Sequence, residues 1–304
     1  MPRRVRHPRI STQLERRIRR ARKTVKAREF ELMLALRPER PSVVAEGDSW
    51  FAYPPPNLAG LDDRSNLVNW LSRATPLNLL QLSSNGDEAV SMLSGPSKHR
   101  LISVLQRFDI DFLLFSGGGN DIVGRHDMDY LLRGETLSAG APLEACLHLE
   151  RVDRRLTLIE LAYAELIDFC KTFSKNPDIR VITHCYDYPL PSAHGARFLG
   201  GILRPDNARS WMYPALMRKG IPEDRHGGIA RWLIDQLAER LLGLEDRSDG
   251  LLSVVDTRGI VDSDQWVNEI HPDRAGFARL GAAMLATMAD MDERIMPAIP
   301  ERDR

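Results

Sequence analysis

Five short apolar runs alternate with helix-length amphipathic stretches along this chain, and that alternation restricts the fold more than any other feature. The runs are Ser42–Glu46, Leu77–Leu82, Asp111–Phe115, Ile179–His184 and Leu251–Asp256. Each is too short for a buried helix and nearly continuous in apolar residues, which reads as a strand covered on both faces. Helices are predicted near Ser65–Ala74, Asp87–Leu93, Lys98–Phe108, Leu143–Ser174 and Arg225–Leu242, with a last one near Asp273–Met288. Asn176-Pro177 marks the stop of the longest. Strands separated by helices make a parallel sheet sandwiched between two helical layers, with right-handed crossovers. In such an α/β/α arrangement, ligands gather beyond the carboxyl ends of the strands.

Three blocks of chemically useful residues follow strand ends or lie in the loop after one. The first is Gly47-Asp48-Ser49. Gly47 lets the chain turn sharply, and a serine at the helix start that follows sits among amide N–H groups that favour negative charge. Taken alone, the tripeptide reads more simply as a turn with Ser49 capping a helix. The second block, Gly117-Gly118-Gly119-Asn120-Asp121, combines close backbone approach with a side-chain amide that can donate to an oxyanion, or it is a flexible capped loop. The third is Asn268-Glu269-Ile270-His271-Pro272. A histidine titrates near neutral pH and can take a serine proton and return it. Pro272 suits the first position of the last helix.

In these three blocks and their order the chain resembles the GDSL-type esterases and lipases of the SGNH hydrolase superfamily, from about Ser42 to Met288. The resemblance implies a five-stranded, flavodoxin-like parallel sheet. It implies a serine esterase acting through an acyl-enzyme, with Ser49 as nucleophile and His271 as base. The oxyanion donors it implies are the backbone N–H groups of Ser49 and Gly86, the latter in Ser84-Asn85-Gly86, and the side chain of Asn120. A small-molecule ester is the implied substrate, and no metal or organic cofactor is needed. Carbohydrate deacetylation, lysophospholipid or thioester hydrolysis, and transacylation share this machinery.

One position departs from the resemblance. The usual last block is Asp-x-x-His-Pro, whereas Asn268 stands three residues before His271. A neutral amide can orient the imidazole through its carbonyl oxygen but offsets the imidazolium charge poorly. The Asn268 carbonyl oxygen is the expected partner, with Asp264 the second choice; Glu269 and the more distant Asp256 are further carboxylate candidates. The same departure supports a rival reading, a binding or scaffold module that keeps the sheet and has lost turnover.

Outside these blocks the signals are weaker. His184, His194 and His226 lack metal-ligand spacing and read as core or loop histidines. Trp50, Phe51, Tyr53, Tyr186, Tyr188 and Trp211 wall an acyl or alcohol pocket or belong to the core. Two long loops, Ala52–Asp63 and Tyr186–Asp224, interrupt the alternation. The second mixes five prolines with Phe198, Leu199, Ile202 and Leu203, which suits a pocket wall over the Ser49 edge better than a linker.

Charge is balanced overall, which argues against a nucleic-acid binder, but it is unevenly spread. Residues 1–41 carry 14 Arg and Lys against four Glu, a net of +10. The stretch Ser11–Leu36 reads as one basic helix, so residues 1–41 are expected to be a helical extension of a hydrolase domain spanning 42–304. Its reading is a solvated helix packed on the domain edge, or a contact to a second copy, an anionic surface or nucleic acid. It lacks the apolar core and cleavage site of a secretory signal, and its glutamates weaken a transit-peptide reading. Three cysteines without metal spacing fit a reducing compartment, so the expected location is cytoplasmic. No apolar run is long enough to span a membrane.

Overall fold

The computed structural model describes residues 11–53, 66–134, 141–193 and 210–295. At its centre is a six-stranded parallel sheet of β1 (Lys23–Thr24), β2 (Ser42–Gly47), β3 (Asn78–Gln81), β4 (Phe112–Ser116), β5 (Arg180–His184) and β6 (Leu252–Val255). The strand order is β1-β3-β2-β4-β5-β6. Every residue of β2 and of β4 is buried, as continuous apolar strands between two helical layers must be. Without β1, this is the flavodoxin-like order, and its switch point lies between β2 and β4. Gly47 pairs with Ser116 at that point, so the first two motif blocks leave the sheet side by side.

The sixth strand corrects the expectation of five, and it comes from the basic N-terminal segment. In place of one helix over Ser11–Leu36, the chain forms a helix Thr12–Arg20, the short strand β1, and a helix Ala27–Leu36. The reason is burial. Ile18 and Phe30 would lie about 120° apart on one continuous helix. Breaking the helix lets Ile18, Phe30 and Met33 all reach the core, each at most 1% exposed. Several of the arginines are engaged within the segment, Arg17 with Glu29, Arg19 with Glu15, and Arg37 and Arg40 on the carbonyls of Arg19 and Ala21.

The helix Leu67–Ala74 packs against Arg274–Met291, close enough that the Trp70 ring fills the space a side chain at position 281 would need. The helices Leu149–Phe173 and Glu223–Asp246 form another pair. The first of these starts six residues later than expected, after a 3₁₀ turn at Leu143–Cys146. Among the described residues, no helix is long and apolar enough to cross a membrane.

Candidate active site

Gly47 serves the turn differently from the sequence expectation. Its φ is not positive; what it permits is contact, because a Cβ there would lie 2.8 Å from the Ser116 Cβ and 2.9 Å from the Phe51 ring. The chain then enters a one-turn helix, Ser49–Ala52, capped by Asp48, whose Oδ1 accepts from the Trp50 N–H at 2.9 Å. Asp48 is therefore the cap, and Ser49 is the first helical residue.

Asp48 is 1% exposed and sits in a closed network. Its Oδ1 also accepts from Ser116 Oγ at 2.9 Å, and its Oδ2 accepts from the Tyr186 hydroxyl at 2.6 Å. His184 completes the ring. Its Nδ1 accepts the Tyr186 backbone N–H at 3.1 Å, so its single proton is on Nε2 and is donated to Ser116 Oγ at 2.9 Å. Burial lowers the His184 pKa to about 3, which keeps it neutral in this role. Burial also raises the Asp48 pKa to about 6, against the hydrogen bonds from Tyr186, Trp50 and Ser116 that pull it down. Tyr186 takes part from the left-handed region at φ 63°, a conformation its neighbours must hold.

His271 Nε2 lies 2.7 Å from Ser49 Oγ, joining residues 222 positions apart. The imidazole is 4% exposed, and Tyr53 stacks on it at 4.1 Å between ring centres. Trp211 meets it edge-on at 6.3 Å. Behind the ring stands Asn268. Its Oδ1 accepts the backbone N–H groups of Ile270 and His271 at 3.0 and 2.8 Å, which fixes the orientation of the amide. His271 Nδ1 then lies 3.2 Å from Asn268 Oδ1 and 3.1 Å from Asn268 Nδ2. A proton on Nδ1 can bond Oδ1 and leaves Nε2 free to accept from Ser49. A proton on Nε2 instead lets Nδ2 donate to Nδ1. A neutral amide therefore supports both tautomers, where a carboxylate would support only the first. Burial alone lowers the His271 pKa to about 3.

The carboxylate alternatives point elsewhere. Asp264 is exposed. Asp256 is bound to Arg258. Glu269, 2% exposed, turns away from the imidazole and accepts four backbone N–H groups, from Ser192, Trp211, Met212 and Tyr213. Its own carbonyl accepts from Leu190 N–H at 2.8 Å.

Asn120 lies in the short helix Gly119–Val123, which starts from Gly118 at φ 108°, a conformation reserved for glycine. One of its two amide N–H groups donates to the Asp87 carbonyl at 2.9 Å, leaving the second for a ligand. Gly86 adopts φ 82° in the adjoining turn and is not among the residues lining the cleft at Ser49. That cleft is bordered by Ser49, Asn120, Tyr186, Asp187 and Pro189, so the beginning of the long loop after β5 lies on the edge that carries Ser49. Phe198, Leu199, Ile202 and Leu203 lie outside the described residues, as do His194 and most of the loop Ala52–Asp63. Phe51 is core, and Tyr188 bonds Asp235 beneath the Arg231 guanidinium. His226 bonds the Ile221 carbonyl, a core histidine. Pro272 precedes the last helix instead of opening it, and Asp273 is the cap.

Sequence reasoning passed over Ser116 and His184 as members of the site, named Tyr186 only as a pocket wall or core residue, and saw Asp48 only as part of a turn. The available signal was positional: polar residues closing otherwise apolar strands at the carboxyl edge of a parallel sheet.

The parallel sheet and its flanking helices have the fold of the SGNH hydrolases. An extracellular lipase from Streptomyces rimosus superposes with a TM-score of 0.50 at 14% identity, covering 81% of this chain and 99% of that one. A phospholipase A1 from Streptomyces albidoflavus gives a TM-score of 0.47 at 13% identity, over 82% of this chain and 99% of that one. At 14% identity the likeness to the lipase shows the fold alone. No family model matches the sequence, and comparison with curated proteins finds no match.

Proposed function

We propose that the chain is a serine esterase hydrolysing carboxylic esters. The observation that carries the reading is the 2.7 Å contact between His271 Nε2 and Ser49 Oγ beside a free amide N–H of Asn120. Ser49 Oγ attacks the ester carbonyl carbon and passes its proton to His271 Nε2. The tetrahedral oxyanion is held by the Asn120 side chain and the Ser49 backbone N–H, each such donor worth about 3 kcal/mol of barrier, and the Gly86 N–H, in the turn beside the cleft, is the third donor that the family resemblance implies. The C–O bond to the alcohol then breaks, and the alcohol leaves with the proton from Nε2. Water attacks the acyl-enzyme, giving its proton to the same nitrogen, and the acid departs as Ser49 Oγ is reprotonated. Asn268 holds the imidazole from behind. An alcohol in place of water would make the same site a transacylase.

Residues 42–304 form the hydrolase domain in this reading and residues 1–41 its extension, of which Lys23–Thr24 adds the edge strand to the sheet. Three buried, unpaired cysteines support a reducing, cytoplasmic setting. One observation favours a second reading, a binding module: the base is held by a neutral amide and its pKa is lowered to about 3. Fluorophosphonate labelling with peptide mapping separates the two. Modification of Ser49, absent in Ser49→Ala, with burst release of p-nitrophenol from its acetate ester, is the expected result. An unlabelled, folded protein that releases no alcohol leaves only the binding module.

A further inference from the structure

Between Ser49, Asn120 and the helix Glu223–Asp246 lies a cavity of about 20 Å³. Its apolar lining is Trp50, Val123, Pro189, Ile234 and Ile270. On the same scale one water needs about 10–15 Å³, so the space takes one or two groups of that size. The polar residues at its wall are turned to internal partners. The Tyr186 hydroxyl is bound to Asp48. Asp187 Oδ1 accepts from the Tyr188 and Gly259 N–H groups and Oδ2 from Val261 N–H, each at 2.6 Å. Apart from Ser49 and Asn120 themselves, no side chain among the described residues of this wall is free to recognise a hydroxyl, an amine or a charge. Val123 and Ile234, 5% and 2% exposed, stand on the helices Gly119–Val123 and Glu223–Asp246 and close the apolar side.

Resting on the esterase reading above, we propose that this slot receives the acyl group, and that it selects short, saturated, unsubstituted acyl groups such as acetyl and propionyl. Val123 and Ile234 set the length limit. A carbonyl carbon bonded to Ser49 Oγ with its oxygen toward Asn120 leaves the carbon chain facing them. The alcohol then occupies the open side of the serine.

The test is the chain-length profile of p-nitrophenyl esters on the full-length protein, with fluorophosphonate labelling of Ser49 in parallel. Overfilling an apolar pocket by one methylene costs about tenfold or more. The expected kcat/KM therefore falls at least about tenfold from acetate to octanoate in the wild type. Ile234→Ala and Val123→Ala should each raise the butyrate-to-acetate ratio at least about threefold, the loss of part of that same penalty. A ratio of two specificity constants does not depend on how much of the sample is folded. Should Ile234→Ala fail to fold, Ile234→Val shifts the ratio in the same direction by less. Octanoate hydrolysed as well as acetate by a protein that labels at Ser49 overturns the slot while leaving the esterase standing. Unchanged ratios in variants that still label do the same. No label and no hydrolysis overturns both.

Discussion

The two halves of the candidate site are held by opposite means. On the Ser49 side, Asp48 receives three donors, and Ser116, His184 and Tyr186 lock one another in a ring with one consistent set of proton positions. On the His271 side, Nδ1 has one neutral side-chain partner, Asn268, that serves either tautomer almost equally, at 3.2 and 3.1 Å. Position there is supplied from outside, by Tyr53 on the ring face and by Glu269 gripping the loop that carries Trp211. The difference teaches that a base can be well placed without being electrostatically supported. Placement comes from packing and backbone hydrogen bonds, whereas support needs a charge that Asn268 does not have.

The largest effect should come from breaking the pair itself. His271→Ala is expected to lower kcat for p-nitrophenyl acetate at least about 10⁴-fold, the scale seen when a member of such a unit is removed. The measurement is steady-state hydrolysis with the fold checked by circular dichroism. A folded variant with near-normal turnover would show that the short contact to Ser49 is incidental.

Asn268 sharpens the contrast. Asn268→Leu should lose at least about tenfold, or roughly 1.4 kcal/mol of barrier, because Nδ1 loses its acceptor. Asn268→Asp should keep or raise activity, because the amide N–H that favours the wrong tautomer is gone. The sign of its pH effect follows from charge. A carboxylate beside Nδ1 stabilises the imidazolium and raises a His271 pKa that burial now lowers to about 3. Activity needs neutral His271, so the acid limb of kcat/KM should move upward in Asn268→Asp, and should lie well below pH 6.5 in the wild type. An acid limb that stays put in the aspartate variant would mean another group controls it.

Glu269→Gln tests the external support. A glutamine offers one acceptor oxygen where four backbone N–H groups converged on two, and turns an NH₂ toward the rest. Unpaired buried donors cost about 1–3 kcal/mol each, so thermal stability should fall by an amount of that order. If the clamp positions Trp211 over His271, KM should rise and Trp emission should shift, with kcat reduced less. A stability loss with unchanged KM and unchanged emission would reduce Glu269 to a structural anchor.

Much of the fold was legible because apolar runs of strand length leave few alternatives. The three blocks at the strand ends were legible because their chemistry is dense and local. What escaped detection depended on distance. The strand at Lys23–Thr24 has no apolar signature of its own, and exists because Ile18 and Phe30 must both be buried. His184 reads as a core or loop histidine and Tyr186 as a pocket wall or core ring, because the partners that tie them to the site, Ser116 and Asp48, are 68 and 138 positions away. Glu269 was weighed only against its neighbour His271, and its donors are 56 or more residues distant. Hydrogen bonds between loops leave no periodicity in a sequence.

The smallest expected effect probes the locked half. Tyr186→Phe removes the donor to Asp48 Oδ2 and leaves the edge-on ring contact with Trp50. That hydrogen bond favours the ionised carboxylate, so its loss should push the Asp48 pKa further above about 6. A carboxylate with a raised folded-state pKa contributes stability that is complete below its unfolded value and is lost as pH rises through the folded value. The variant's extra loss should therefore appear above about pH 6 and shrink toward zero at lower pH, where Asp48 is protonated in both proteins. Calorimetric melting of the two proteins at pH 8 and pH 5 reads this directly: the gap in Tm should be wide at the first and narrow at the second. An equal gap at both would mean that Tyr186 stabilises the turn by packing alone, and that the Ser49 side owes its rigidity to shape more than to the Asp48 charge.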